Sequence, residues 1–501
     1  MDPRTPVIVG VAQTKRRPSP SDDLENLSEP AEMMAECTAL AVQDCGEEDI
    51  LKSITSIGVL GILSWGYQNP GAIVAEKLGI DVRESILTTT GGNGPQMLVN
   101  DAARKIQAGE LDTALIVGAE AVYTRLLQSR ANPPVHGKWI RRDQETAPQA
   151  IQMGEDTQGS GPAEMSRGLV VPIQIYPIFE NALRARKGLT IPQHVDMIAK
   201  LWSDFSRVAE SNPYAWSPNF VDPVTIATPG PTNRMVSFPY TKLMNANIQT
   251  DQAAAIIITS LGNARSLGIS PDKFVFPLSG AEAHDHWFIS NRDTLNSSPA
   301  LRLASSTALG LAGIDKDELA HIDLYSCFPS AVQIGALELG VSIDDPSRPV
   351  TVTGGLGFAG GPGNNYVTHS IAAMVDRLRS DPGTYGFVNA VGWYLTKHAV
   401  GVYSTLQPTE PFRSANVQDQ VDALPSREVI EEYVGPAEVE SYTIMYDRSG
   451  EPERFVAATI TPDGPRCWVT SSDPELMSRG TTEELIGLKA DIVSGGEIAA
   501  L

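Results

Sequence analysis

The sequence is poor in cysteine. Cys37, Cys45, Cys327 and Cys467 are the only four in 501 residues, and no CxxC spacing occurs. That argues against a disulfide framework and against a structural zinc site. No apolar run approaches the roughly 18 residues that cross a bilayer, so no membrane contact is expected. The opening MDPRTPVIVGVAQT lacks the basic, apolar and small-residue succession of a signal peptide and runs straight into a strand, which reads as cytoplasmic. Positive charge is also short, with 38 Lys and Arg against 60 Asp and Glu and a formal net charge of −22. Nucleic acid as main partner is disfavoured, because neutralising phosphates takes clustered cations. A small polyanion needs only a few, and "KWIRR" (138–142) and "RARK" (184–187) are the short basic stretches available.

What the sequence does hold is a repeat. The length suggests roughly two to four domains, and a hydrophobic content of 42% is that of a globular protein. "VIVGVAQT" (7–14) is an apolar strand ending on small residues. It is followed by Thr90-Gly91-Gly92, Gly94-Pro95, a helix and the strand "TALIVGAE". "FVFPLSGAEA" (274–283) then starts the series again: Thr353-Gly354-Gly355, Gly361-Pro362, a helix and "YGFVNAVGW" (385–393). Two such halves predict stacked sheets with helices between and outside them, an α/β fold.

Between the halves, Val195, Ile198, Leu201, Trp202, Phe205, Val208 and Ala209 recur at helical spacing and predict one buried face. His194 at the helix start reads as a capping or surface residue. "DQAAAIIITS" (251–260) has the continuous apolar run of a strand covered on both faces. "PTEPFRSANVQDQ" reads as a linker. Beyond it, residues 437–473 alternate β-formers with polar residues around the turns "DRSGEP" and "TPDGPR", which predicts a small β-barrel.

The duplicated halves, the inserted helical segment and the glycine turns together resemble the thiolase superfamily, in its sterol-carrier-type and thiolase-like (acetyl-CoA acetyltransferase-like) branch. The resemblance covers roughly residues 5–405 and implies a duplicated αβαβα-layered fold. Residues 1–121 and 246–268 form the N-terminal half, 122–245 an inserted loop domain and 269–405 the C-terminal half. Residues 412–501 are similar to an OB-fold domain of the kind that accompanies thiolase-like partners.

A thiolase takes its acyl group on a cysteine at a helix N-terminus. It also uses a GHP histidine, an Asn or His that holds a water in an oxyanion hole, and a CxG cysteine as acid and base. In this sequence the resemblance places Gly92 at the nucleophile, Tyr325 ("YSCF") at the water-holding position, Gly361 at the GHP histidine and Ala390 ("AVG") at the CxG cysteine. All four are missing. Cys327 matches a cysteine that is not the nucleophile and reads as a small buried thiol.

Glycines 91, 92, 94, 360, 361 and 363 are expected to expose backbone N–H groups beside two helix N-termini. Gly92, Asn93, Gly94, Gly360 and Gly361 then become candidate ligand-binding residues for an acyl-CoA thioester; the alternative is that they only make tight turns. Tyr325 and His398 are the candidate catalytic residues for cleaving a C–C bond without a cysteine. Tyr394, Tyr366 and His369 stand close in sequence. "GLGFAG" (355–360) fits GxGxxG, but "YGFVNAVGW" supplies no acidic residue, so a nicotinamide site is rejected. "HDH" (284–286) lacks a third metal ligand, and no metal or cofactor is expected beyond coenzyme A as part of a ligand.

The first expectation is therefore a protein of thiolase fold without thiolase chemistry, binding acyl-CoA or serving lipid metabolism. The alternatives are a cysteine-independent acyl-CoA carbon–carbon lyase (retro-aldolase) or acyltransferase, and a scaffold that recruits a protein partner through the C-terminal domain. Thiolases are commonly dimers or tetramers, and whether this chain self-associates is left open.

Overall fold

The computed structural model describes residues 2–501. In the first sheet the strand order is Pro6–Lys15, Asp251–Ser260, Thr113–Ala121, Ser56–Val59, Glu84–Thr88 and Ile151–Met153. In the second it is Phe276–His284, Lys397–Ser404, Tyr385–Gly392 and Leu319–Asp323, with Arg413–Asn416 outside the first of these. The leading four strands of each sheet pair in the same senses, antiparallel, antiparallel, parallel. The repeat in the sequence is thus a repeat of topology.

The helices Gly94–Ala108 and Tyr366–Ser380 lie between the sheets and touch strands of both. Pro95 in the first turn of the former needs no backbone donor, and Gly109 ends it at φ 75. Pro30–Cys45 covers the outer face of the first sheet and Pro299–Ala312 that of the second. Asp251–Ser260 is buried along its whole length, as its apolar run predicts. Residues 350–353 ("VTVT"), although rich in β-branched residues, carry no strand pairing.

The inserted helix Ile191–Ser211 buries Ile198, Leu201, Trp202, Phe205 and Ala209. His194 departs from expectation. It is fully buried and its Nε2 meets the Glu180 carboxylate. It stands four and seven residues before Ile198 and Leu201, so it lies on the apolar stripe and not on the solvent face.

The C-terminal region closes into a five-stranded barrel. Gly435–Tyr446 pairs with both Pro452–Ile460 and Lys489–Val493, and Arg466–Ser471 and Glu497–Ala500 complete the ring. Two findings differ from the expected organisation. Two short strands of the inserted segment, Met235–Ser237 and Tyr240–Thr241, join the barrel sheet. The expected linker contains Arg413–Asn416, which pairs parallel with Phe276–His284. An open sheet edge offers backbone donors and acceptors, and a passing extended segment satisfies them. Among the described residues no helix is long and apolar enough to cross a membrane.

Candidate functional site

The first glycine turn joins Glu84–Thr88 to the central helix Gly94–Ala108. The Asn364 carboxamide, from the second glycine turn, ties it down: its Oδ1 accepts from the Gly91 N–H (2.9 Å) and its Nδ2 donates to the Gly61 carbonyl (2.7 Å). The two turns are therefore brought together across the duplicated halves.

At Gly92 the space for a side chain is already filled. A Cβ there would stand 2.4 Å from the Tyr325 hydroxyl oxygen, 2.6 Å from the Val391 carbonyl oxygen and 2.8 Å from Tyr325 Cε2. Tyr325 thus fills the space beside Gly92, the position that the resemblance to thiolases marks for the nucleophile, with the strand of Ala390 and Val391 beside it. Asn389 Oδ1 accepts from the Tyr325 N–H (2.5 Å), and the Tyr325 ring meets Tyr366 edge-on at 5.5 Å. Burial, with Cys327 adding to it, raises the phenol far above its ordinary value, so it stays neutral. Burial likewise pushes the Cys327 thiol up to about 12, which leaves it unreactive at neutral pH.

The expected row of open backbone donors is largely closed. Gly361 N–H donates to the Asn247 carbonyl (2.9 Å), Gly94 N–H to Gly91 (3.2 Å) and Gly363 N–H to Gly361 (2.7 Å). Gly92, Asn93, Gly94, Gly360 and Gly361 are all buried. Gly360, at φ 114, faces Gln252, whose Oε1 would lie 2.1 Å from an added Cβ. Tight turns bend their own carbonyls onto the neighbouring N–H groups, and little is left for a ligand. The N–H groups of Gly92, Asn93 and Gly360 and the Tyr325 O–H have no acceptor among the described residues.

His398 does not join Tyr325 in hydrogen bonding. Its Nε2 meets Ser298 Oγ (3.0 Å), Asp285 Oδ2 (3.2 Å) and the Leu395 carbonyl (3.1 Å). This serine, histidine and aspartate do not form a relay. All contacts converge on one ring nitrogen, Nδ1 has no partner, and Ser298 caps the helix Pro299–Ala312. His369 accompanies Gln13 (3.1 Å), and burial lowers its pKa to about 3. Tyr394 donates to the Val170 carbonyl (2.8 Å) and Tyr366 to Asp323 (3.2 Å), both as packing residues. In "HDH", His284 turns to the Asp285 carbonyl and His286 to that of Pro425. No cluster of three or more metal-ligating side chains is found among the described residues.

Comparison with known proteins bears on this architecture. A family described as the thiolase-like protein type 1 additional C-terminal domain matches residues 416–497. A monomeric SCP2-thiolase like protein type 1 from Mycobacterium smegmatis is similar over 100% of both chains, with 30% identity and a TM-score of 0.83. The chain belongs to the SCP2-thiolase-like proteins of type 1. Two further likenesses show the thiolase fold alone. An Ltp2-ChsH2(DUF35) aldolase is 16% identical over 81% of this chain and 98% of that one, with a TM-score of 0.60. An acetyl-CoA acetyltransferase from Syntrophomonas wolfei is 16% identical over 80% and 99%, with a TM-score of 0.57. No curated protein matches the sequence.

Sequence reasoning missed three residues of this SCP2-thiolase-like site. Asn364 clamps the two turns. Tyr176 holds the strained turn after Gly392, where Trp393 and Leu395 adopt φ 55 and 52. Its hydroxyl donates to the Trp393 carbonyl (2.9 Å) and accepts from the Leu395 N–H (3.2 Å). Lys397, in the same "GWYLTKHAVG", pins the first turn by donating to the Thr90 carbonyl (3.0 Å). Its strand parity was the available signal, since it shares a face with Ala399 and Gly401, small residues that point inward.

Proposed function

We propose that this chain is a protein of thiolase fold that performs neither thiolysis nor Claisen condensation and holds an acyl-CoA thioester without a covalent step, in lipid metabolism. The observation that carries the reading is the Tyr325 hydroxyl, standing in the nucleophile's place with no acceptor of its own. A donor with no acceptor in the protein is free for a ligand's oxygen, and a thioester carbonyl is the acceptor that this fold's ligand would bring. The Gly92 N–H is a second donor beside it. A lyase would need a base at this position, and a phenol held neutral by burial with no histidine bonded to it is a poor one.

Titration by calorimetry and thermal shift with free CoA, acetyl-CoA and a long-chain acyl-CoA tests this. A ligand at 100 times its Kd adds about 2.7 kcal/mol of stability. Tyr325→Phe is expected to weaken acyl-CoA roughly fivefold, the worth of one hydrogen bond of about 1 kcal/mol, and to leave free CoA unchanged. Absence of binding by any of the three would sink the reading. Cleavage of a β-hydroxyacyl-CoA that disappears in Tyr325→Phe would replace it with the lyase.

We further propose that the protein is a monomer. Ile151–Met153 from the inserted segment pairs with Glu84–Thr88 and covers that edge of the first sheet against another copy, and the Mycobacterium smegmatis relative is described as monomeric. A three-residue edge strand then offers little to pair with. Light scattering is expected to give a mass near 53.7 kDa; twice that value would overturn the proposal.

A further inference from the structure

The duplication of the two halves fails at one place. In the first half, Glu84–Thr88 pairs with Ser56–Val59. In the second, Leu319–Asp323 takes the sheet position of Ser56–Val59, and no strand follows on its outer side. Residues 350–353 run alongside it without forming a ladder. The Val350 carbonyl accepts from the Leu324 N–H (2.9 Å), and the Asp323 carboxylate then takes the Val352 N–H (2.8 Å). A side chain satisfies the donor that a partner strand would have satisfied, and the sheet ends early.

Between this stretch and the inserted helix Ile191–Ser211 lies a cavity of about 440 Å³, within the size range of small-molecule pockets. Leu201, Phe205 and Val208 line it from the helix, and Ile343, Pro349 and Val350 from the other side. The first three fall at four- and three-residue intervals and so form one row along the helix. Phe205 is the largest of them, and it is held on two sides. Trp202 stacks on it (5.3 Å, planes 13° apart), and it stands so close to Gly355 that a Cβ there would meet Phe205 Cδ1 at 2.6 Å. The ring therefore does not turn inward to fill the space.

The polar groups around the cavity are already matched. Lys200 pairs with Asp204 (2.8 Å), and Arg207 lies over the Phe220 ring (4.2 Å). Asp345 accepts from the Ser347 N–H (2.9 Å) and hydroxyl (2.6 Å), with Arg348 acting on it. Asp344 stands in the field of both Lys187 and Lys200. The Thr351 hydroxyl is spent on Asp323 (2.9 Å), and Pro346 and Pro349 bring no N–H. A charged ligand would lose hydration here and find no unpaired counter-charge.

We propose that this cavity binds a small uncharged apolar molecule, of the size of a substituted benzene or naphthalene, held by burial of its surface. The site is separate from Tyr325 and Gly92, so it and the acyl-CoA reading can fail independently.

The probe is toluene, with benzoate and benzylamine as its anionic and cationic counterparts, added to the full chain with labelled Ile, Leu and Val methyl groups. Expected are saturable shifts of the Leu201, Val208, Ile343 and Val350 methyl signals with toluene at up to about 5 mM. Benzoate and benzylamine should each bind at least about tenfold more weakly, and naphthalene about fivefold more tightly, because it buries more apolar surface. Val208 is half-buried at the cavity's edge, so Val208→Phe puts a ring into the space and should abolish the toluene shifts at Ile343 and Val350. The comparison of the three charge types uses the unmodified protein, so the test survives if that variant misfolds. Absence of shifts at these four methyl groups, binding of either charged counterpart as tight as that of toluene, or unchanged toluene binding by folded Val208→Phe would each overturn the proposal.

Discussion

Gly92→Cys, which puts a cysteine at the position that the resemblance to thiolases marks for the nucleophile, is expected to destabilise the protein by about 3 kcal/mol and to yield no thiolysis. Its Cβ would meet the Tyr325 hydroxyl at 2.4 Å and the Val391 carbonyl at 2.6 Å. Real carbons do not approach so closely, and the second contact is backbone, held by the strand Tyr385–Gly392 and the turn that Tyr176 clamps. Overpacking of this kind typically costs about 1–3 kcal/mol, and a rigid carbonyl puts this site at the upper end. Tyr325→Ala in the same chain removes one of the two obstructions. The double variant Gly92→Cys/Tyr325→Ala should therefore be more stable than the sum of the singles by about 1 kcal/mol or more, the mark of two residues sharing one space. Urea unfolding midpoints measure both. If Gly92→Cys unfolds within about 0.5 kcal/mol of the unmodified protein, the space is open and the nucleophile's loss is not structural.

Arg466→Met should be as damaging, at a site remote from the turn. Arg466 is fully buried, and its guanidinium pairs with both Glu440 oxygens (2.6 Å each). It also donates to the carbonyls of Ile289 (3.1 Å), Ser290 (2.7 Å) and Arg292 (2.6 Å). The first partner belongs to the barrel and the other three to the C-terminal half, so one side chain fastens two domains. Methionine keeps much of the volume but strands a carboxylate and three carbonyls. Breaking a buried pair from one side costs about 3–5 kcal/mol. Lysine should rescue little of it, because a point ammonium cannot fork to Glu440 and the carbonyl cluster at once. Differential scanning calorimetry is expected to show the single transition splitting, with the barrel melting first. A shift equivalent to less than about 1 kcal/mol would show that Arg466 is not the fastening point.

Together these two variants probe a protein in which Tyr325 fills the space beside Gly92 and the barrel is built into the body. The barrel's sheet takes strands from the inserted segment, and Asn181 of that segment donates to the Tyr442 carbonyl (2.9 Å) inside it. The C-terminal domain is therefore part of one packed unit with the thiolase halves. A protein partner of this domain, expected as one alternative from the sequence, would meet surfaces other than the one buried here.

The sequence by itself determined the elements and their repetition. Apolar runs with a period of two, helical stripes such as Ile198–Leu201–Phe205, and glycine turns at matching positions are local patterns, and local sterics and burial decide them. It also determined what Gly92, Gly361 and Ala390 cannot do, because no fold supplies a nucleophile that the side chain lacks. Only the tertiary structure decided how the vacated positions are used. That Tyr325 stands over Gly92, that Asn364 bridges to Gly91, and that Arg413–Asn416 caps a sheet edge are contacts between residues far apart in the chain. The same holds for His194, whose place on the stripe was legible but whose partner Glu180 was not. Periodicity fixes which face of an element is buried; which free donor, carboxylate or sheet edge it finds there depends on how whole layers pack.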